Sequence, residues 1–193
     1  MDIVRTIEEK QVFAGTEMTG LSRAENKADE KEALKRRTEL AVEKYSQLVY
    51  GIVLTQLNCK CDVDDVYQEV FFTYFEKDMD FFGEEHEKAW LIRTAMNLCK
   101  RHNFSLWRMR TVPLSEAGAE DKAVFSTEEQ TRVFAELRAL KPKYKLPLYL
   151  HYFEDMSAEM IGEALGIRPE TVRKQLQRGR ELMKQRLECD YFE

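Results

Sequence analysis

Five side chains near the C-terminus carry groups that bind DNA bases and phosphates. They are Thr171, Arg173, Lys174, Gln177 and Arg178, called here the recognition set. Arg and Gln bond the edges of guanine and adenine bidentately, so such a set can read a base sequence. A solvated basic face on an ordinary helical hairpin would use the same residue types, as would a helix that contacts phosphates alone.

Two helices joined by a tight turn are predicted to position the recognition set. Ser157 is placed to cap the first helix, and Gly166 can take the left-handed conformation that ends it. Pro169 suits the first turn of the second helix. Val172 and Leu176 then face inward, which leaves the recognition set outside. This pattern is a helix-turn-helix, whose second helix enters the major groove.

A second group of cations stands beside aromatic residues nearer the middle of the chain. Arg93, Asn97 and Lys100 share one face of a predicted helix, and Phe81 and Phe82 precede it in a loop. We call these five residues the basic–aromatic set. Cations that follow phosphates and rings that stack on unpaired bases are typical of single-stranded DNA binding. The alternative is that the aromatic side chains belong to the core.

The helix before that loop is acidic on the side opposite its apolar stripe. Asp62 is predicted to cap it, and Asp65, Gln68, Glu69 and Phe72 form what we call the acidic face. An aromatic among acids is typical of a protein-docking surface with an apolar anchor. A solvated acidic face is the equal alternative from this segment alone.

No arrangement typical of a catalytic or metal site stands out. Asp62, Asp64 and Asp65 lack the glycine and later glutamate of a calcium loop, although a metal-dependent hydrolase built on them is one alternative function. The cysteines (Cys59, Cys61, Cys99 and Cys189) have neither metal-site spacing nor a disulfide framework, so reduced thiols and a cytoplasmic location are expected. We therefore expect no cofactor and no enzyme activity. Residues 1–20 contain no apolar core, so neither a signal peptide nor a membrane span is expected.

Charge and periodicity predict an all-α chain with two small helical domains joined by a flexible linker, the second being the helix-turn-helix. The net charge is −5, yet residues 88–112 hold six bases and no acid, whereas residues 41–87 hold eleven acids and three bases. The predicted divisions are a flexible N-terminal extension (1–36), a first domain (37–112), the linker (113–126) and a second domain (127–193).

In this order, three motifs resemble the extracytoplasmic-function group of bacterial sigma factors, within the sigma-70 family. DDVYQEVFFTYF (64–75) resembles the helix that docks on the polymerase clamp. KAWLIRTAMNLCKRH (88–102) resembles the helix that meets the −10 element, and residues 137–187 resemble the domain that reads the −35 element.

The resemblance implies a transcription initiation factor with four partner surfaces. The acidic face would bind the clamp coiled coil of the largest subunit of core RNA polymerase, and the second domain would meet the flap of the second subunit. The basic–aromatic set would capture the melted −10 element, and the recognition set would face the −35 duplex of promoter DNA. An anti-sigma factor, commonly membrane-anchored, is also implied. The alternative is a helix-turn-helix regulator that binds an operator without polymerase.

Overall fold

The computed structural model describes residues 21–109 and 128–189, all of whose regular structure is α-helical. This confirms the all-α prediction; the predicted linker and residues 1–20 and 190–193 lie outside the described ranges. The helices, in chain order, are α1 (Leu21–Gln56), α2 (Lys60–Lys77), α3 (Glu84–Met109), α4 (Glu128–Arg138), α5 (Pro142–Tyr152), α6 (Ala158–Leu165) and α7 (Pro169–Cys189). Within these ranges no helix combines the length and apolar character that a bilayer-spanning segment requires.

Helix α2 buries its predicted stripe but begins earlier than expected. Its buried residues, which include Phe71 and Tyr74, recur at three- and four-residue steps. The N-cap is Cys59, with extended backbone angles, so the prediction of Asp62 as the cap was wrong. Asp62 instead occupies the first turn, where the helix dipole favours an acid. Asp78 ends the helix in the left-handed conformation (φ 41°).

Helix α1 continues through the predicted boundary between residues 36 and 37. Arg37 forms an ion pair of 2.8 Å with Asp78 at the end of α2. The buried hydroxyl of Thr38 donates to the Leu34 carbonyl one turn earlier, at 2.9 Å. The part of α1 just before and after the boundary therefore contributes to the packing of the first three helices.

The helix-turn-helix forms as its local signals predict. The Ser157 hydroxyl accepts the Met160 N–H at 3.2 Å, which caps α6. Gly166 ends α6 in the left-handed conformation (φ 67°), and Pro169 begins α7. Val172 is fully buried beneath the second helix. These features confirm the predicted start and end of α6 and the predicted start of α7.

The two groups of helices, α1–α3 and α4–α7, pack against each other around one continuous core. The Tyr149 hydroxyl donates to the Gln47 carbonyl of α1 at 3.3 Å. The Arg138 guanidinium donates to the Leu57 carbonyl at 2.9 Å. Gly51 lies directly beneath the Tyr149 ring, where an added Cβ would stand 1.9 Å from the hydroxyl oxygen. We call this joined state the packed arrangement.

Candidate nucleic-acid and protein interfaces

All five residues of the recognition set lie exposed on α7. Because Val172 and Leu176 are buried on the opposite side, the set forms one outward face at the start of the helix. The structure therefore confirms that the whole set lies on the outward side of the second helix. Contact with bases remains a prediction for each residue.

Ion pairs with acids hold two of these cations on the surface. The Arg173 guanidinium donates to Glu159 of α6 and lies 3.7 Å from Glu170. Arg178 donates to Glu181 at 2.7 Å. Exposed pairs of this kind contribute roughly 0–1 kcal/mol, so a phosphate or base edge can replace the acid at little cost.

The two adjacent phenylalanines of the basic–aromatic set occupy different environments. Phe81 is half-buried, stacked on Tyr74 at 5.5 Å between ring centroids and in edge contact with Trp90 at 5.7 Å. Phe82 is 94% exposed and touches only one ring in the described part of the chain, that of His86 at 5.8 Å. Phe82 is thus the ring available for stacking on a base, while Phe81 packs against the core.

The Tyr74 hydroxyl ties this loop to α3. It donates to Glu87 Oε1 at 2.5 Å, and Tyr45 donates to the other oxygen of the same carboxylate at 3.1 Å. Burial is the main reason why the pKa of Tyr74 is raised, and its hydrogen bond to Glu87 acts in the same direction. The phenol therefore stays protonated and keeps donating at neutral pH, which holds the ring on which Phe81 stacks.

Arg93 of the basic–aromatic set bonds to the helix-turn-helix in this arrangement. Its Nε donates to the Ala164 carbonyl at 2.9 Å, and its terminal nitrogen donates to the Glu163 carbonyl at 2.6 Å. These carbonyls lie at the C-terminus of α6, where the helix dipole favours a cation. Asn97 and Lys100 line the adjoining groove of about 450 Å³, which faces the turn between α6 and α7. The packed arrangement therefore occupies the Arg93 guanidinium, while the side chains of Arg93, Asn97 and Lys100 all stay exposed.

The acidic face lies on α2, away from its buried stripe. Asp65 is exposed, whereas Gln68, Glu69 and Phe72 are half-buried. The Arg101 guanidinium of α3 donates to Glu69 Oε1. Phe72 is less exposed than the sequence indicated, because the surface of α2 is partly covered by its neighbours. Docking of a protein on this face remains a prediction.

Buried titratable groups lie where the two groups of helices meet. Glu154 accepts from Tyr149 at 3.0 Å and lies 3.6 Å from Lys88, with side-chain exposures of 16% and 24% for the ion pair. Burial raises the pKa of Glu154, against the opposing influence of Tyr149 and Lys88. Burial likewise lowers the pKa of Lys145, which donates to the Arg138 carbonyl at 3.4 Å.

The cysteines depart from the expectation in one place. Cys59 and Cys61 are joined by a disulfide across a single residue, which corrects the expectation of reduced thiols for this pair. Cys99 is a buried free thiol, and burial raises its pKa to about 12. Among the described residues, the one metal-sized group of donors combines this cysteine pair with Asp62; Asp64 and Asp65 do not join it. The three-aspartate centre of the hydrolase alternative is therefore not assembled there.

One surface of the structure was not predicted from the sequence. An apolar groove of about 460 Å³ lies between α4, α5 and α7, and its lining includes Val133, Leu137, Leu148, Phe153, Met183 and Leu187. Val133 and Leu137 are four residues apart on α4, so the periodicity that predicted the helix also contained this signal. Which of its apolar residues would stay partly uncovered depends on the packing of three helices.

Two known domain families match this chain, one after the other along the sequence. Sigma-70 region 2 matches residues 41–109, and Sigma-70 region 4 matches residues 131–183. The first match covers the acidic face and the basic–aromatic set, and the second contains the recognition set.

Curated relatives match over most of their length. RNA polymerase sigma-H factor of Pseudomonas aeruginosa is 27% identical over 171 residues, which is 80% of this chain and 88% of the relative. ECF RNA polymerase sigma-E factor of Haemophilus influenzae is 28% identical over 171 residues, with 80% and 89% covered. SigW of Bacillus subtilis is 25% identical over 161 residues, with 76% and 86% covered.

Solved structures share the fold. CnrH in complex with the cytosolic domain of CnrY superposes with a TM-score of 0.60 at 21% identity, covering 84% of this chain and 95% of that one. The sigma factor RpoE in complex with the anti-sigma factor NepR, from Bartonella quintana, gives 0.64 at 15% identity, covering 79% and 97%. This chain belongs to the sigma-70 family as an extracytoplasmic-function sigma factor, a transcription initiation factor that directs RNA polymerase to promoters.

Proposed function

We propose that the recognition set reads the −35 element of a promoter as a duplex. The observation that carries this assignment is the single exposed face that the set forms over buried Val172 and Leu176. Each good bidentate contact to a base discriminates against the wrong base by about 1–3 kcal/mol. Arg173 and Arg178 are already on the surface in weak ion pairs, so DNA binding exchanges one partner for another.

The basic–aromatic set is proposed to hold the melted −10 element. Phe82 offers an uncovered ring for an unpaired base, and Asn97 and Lys100 lie exposed on the helix that follows. Base–aromatic stacking contributes about 1–3 kcal/mol per base, comparable to the cost of unstacking a flipped base. Arg93 joins this surface only after it leaves the carbonyls of α6. We therefore propose that promoter opening requires the two groups of helices to separate.

Two surfaces are proposed to bind core polymerase. The acidic face docks on the clamp coiled coil of the largest subunit, with Phe72 as its apolar anchor and Asp65 and Glu69 as its charges. The apolar groove of the second group fits an amphipathic helix, and we assign it to the flap of the second subunit. Arg180, Lys184 and Glu188 also line it, and this net positive charge would favour acidic residues flanking that helix.

The factor is proposed to act in the cytoplasm without chemistry of its own and under the control of an inhibitor protein. RpoE from Bartonella quintana was solved with an anti-sigma factor, and CnrH with the cytosolic domain of CnrY. By analogy, an anti-sigma factor of the same class is proposed for this chain.

Run-off transcription with purified core polymerase and a promoter library tests the proposal. Phe72→Ala should weaken core binding while leaving duplex recognition intact, and Glu43→Ala, an exposed acid on α1, is its control. Arg173→Ala should lower promoter selectivity without changing core affinity. Arg186→Ala is the matched control for charge, since it removes an ion-paired cation from the same helix about three and a half turns later, outside both the recognition set and the apolar groove.

Absence of initiation from every template, with a core enzyme that responds to another sigma factor, would contradict the proposal. Loss of the same activity in Phe72→Ala and Arg173→Ala would contradict the division of labour. Tight sequence-specific binding to duplex DNA by the chain alone, in a gel-shift assay, would instead favour the operator-binding regulator.

A further inference from the structure

A compact group of metal-binding side chains lies where α2 begins, outside every surface assigned above. Cys59, Cys61 and Asp62 each place one donor atom so that all three lie within 4.8 Å of one another. On α3, Nε2 of His102 lies 3.2 Å from Asp62 Oδ1 but outside that 4.8 Å group, so it would have to approach the sulfurs to share an ion with them. We propose that these four side chains bind a thiophilic divalent cation of the Zn²⁺ class when the two cysteines are reduced.

The chemical types of the four donors suit tetrahedral zinc. Thiolate sulfur, imidazole nitrogen and carboxylate oxygen are the ligands that Zn²⁺ takes in proteins. With Zn–N and Zn–O bonds of about 2.0–2.2 Å, two donors on one tetrahedral ion stand about 3.4 Å apart. The 3.2 Å between His102 and Asp62 is close to that separation. Calcium or magnesium would be disfavoured, because both prefer oxygen ligands alone.

The orientation of His102 supports a shared ligand better than a direct hydrogen bond. Its Nε2 is buried and makes no hydrogen bond of acceptable geometry, although Asp62 Oδ1 lies within ion-pair distance. A buried polar atom without a hydrogen bond is costly. A cation held between the nitrogen and the carboxylate would satisfy both groups.

The start of α2 also favours the anionic donors. Cys59 is the N-cap and its side chain makes no capping hydrogen bond. Cys61 and Asp62 follow in the first turn, so three potential anions stand at the positive end of the helix dipole. Thiolates are the form of cysteine that ligates metal.

The binding step requires reduction first. A thiol or phosphine reductant supplies two electrons to the Cys59–Cys61 disulfide, which takes up two protons and becomes two thiols. Zn²⁺ then forms two Zn–S bonds as both thiols release their protons. The bound ion would fasten the first turn of α2 to α3, because His102 comes from the second helix. The inference does not rest on the proposed function.

Titration of the full chain with Co²⁺, a spectroscopic substitute for Zn²⁺, tests the site in the presence of a phosphine reductant. We expect one Co²⁺ per chain, a thiolate-to-cobalt charge-transfer band, and loss of the band when Zn²⁺ displaces the probe. Cys59→Ser/Cys61→Ser should abolish the band. His102→Gln and Asp62→Asn should each weaken Co²⁺ binding at least about tenfold. Even the removal of a residue that only hydrogen-bonds to a metal ligand lowers metal affinity by about that much.

Two controls separate the site from its surroundings. Cys189→Ser removes a thiol elsewhere in the chain, and Asp64→Asn removes a neighbouring carboxylate; both should bind Co²⁺ as the parent does. Absence of the band in the reduced parent would overturn the inference, as would an undiminished band in Cys59→Ser/Cys61→Ser. Unchanged affinity in both His102→Gln and Asp62→Asn would overturn the four-ligand site. Equal binding by the oxidised parent would overturn the requirement for reduction.

Discussion

Gly51→Ala should open the packed arrangement while leaving every proposed DNA and polymerase contact in place. Gly51 lies on α1, and a Cβ there would stand 1.9 Å from the Tyr149 hydroxyl oxygen and 2.4 Å from Cζ. The Tyr149 ring has little freedom to move aside, because it is stacked on Phe153 at 5.4 Å and is 3% exposed. The methyl group and the ring therefore cannot share the interface as it stands.

The size of the effect follows from what the displaced ring loses. Overpacking a close contact costs about 1–3 kcal/mol. The single hydroxyl proton of Tyr149 is shared between the Gln47 carbonyl and Glu154, and losing this hydrogen bond adds roughly 0.5–1.5 kcal/mol. Because these losses overlap, we expect a shift of about 2–4 kcal/mol, or roughly 30- to 1,000-fold in favour of the open state. Within α1 itself the change should be stabilising by about 0.5–1 kcal/mol, since Ala is the better helix former.

Small-angle scattering and circular dichroism together measure the outcome. Gly51→Ala should increase the radius of gyration and leave the helical signal unchanged. The double variant Gly51→Ala/Tyr149→Leu should be more compact than Gly51→Ala, because the ring that the methyl group meets has been removed. Its radius of gyration is compared with that of Tyr149→Leu alone. A compact Gly51→Ala chain would refute the reasoning. A double variant as expanded as the single one would show that Tyr149 is not the obstacle.

Three further outcomes are expected from single substitutions. The pKa of Glu154 is raised in the packed state, so the packed state should be most stable below the carboxyl's ordinary pKa and lose stability as pH rises through the raised value. Glu154→Gln should therefore flatten the change in Tm between about pH 4 and about pH 7. Equal slopes of Tm against pH in the parent and the variant would contradict this. Ser157→Ala should lower the free energy of unfolding by about 0.5–2 kcal/mol in denaturant titrations, because the Met160 N–H loses its cap. Gly179→Ala should also destabilise, by up to about 2 kcal/mol, because its Cβ would stand 2.8 Å from Leu148 Cδ1; a raised denaturation midpoint would show that Leu148 repacks freely.

Features set by neighbouring residues could be predicted from the sequence. Ser157, Gly166 and Pro169 mark the limits of α6 and α7 because capping and backbone preferences act within a few residues. The same kind of signal failed for Asp62, because both Cys59 and Asp62 could precede the apolar stripe. The first residue of α2 depends on the path that the chain takes after α1, and the order of polar and apolar residues does not specify that path.

Features set by distant residues could not be predicted. Arg93 bonds to carbonyls some 70 residues later, and backbone carbonyls leave no mark in a sequence. Phe81 and Phe82 looked equivalent as neighbours in a loop, yet Tyr74 and Trp90 accommodate only Phe81. The acidic face, the basic–aromatic set and the recognition set were found by residue type and periodicity. The hydrogen bonds that hold Arg93 of the basic–aromatic set in the packed arrangement depended on tertiary structure.

The ion pair between Arg101 and Glu69 links the acidic face of α2 to the cations of α3. Glu69 belongs to the acidic face, while Arg101 extends the basic face of α3. A protein that takes Glu69 releases the Arg101 guanidinium for a phosphate, and a DNA strand that takes Arg101 releases the carboxylate. Thermodynamic linkage then requires each ligand to raise the affinity of the other by the same factor. Through one exposed ion pair, polymerase and promoter strand would bind cooperatively without any change in the fold.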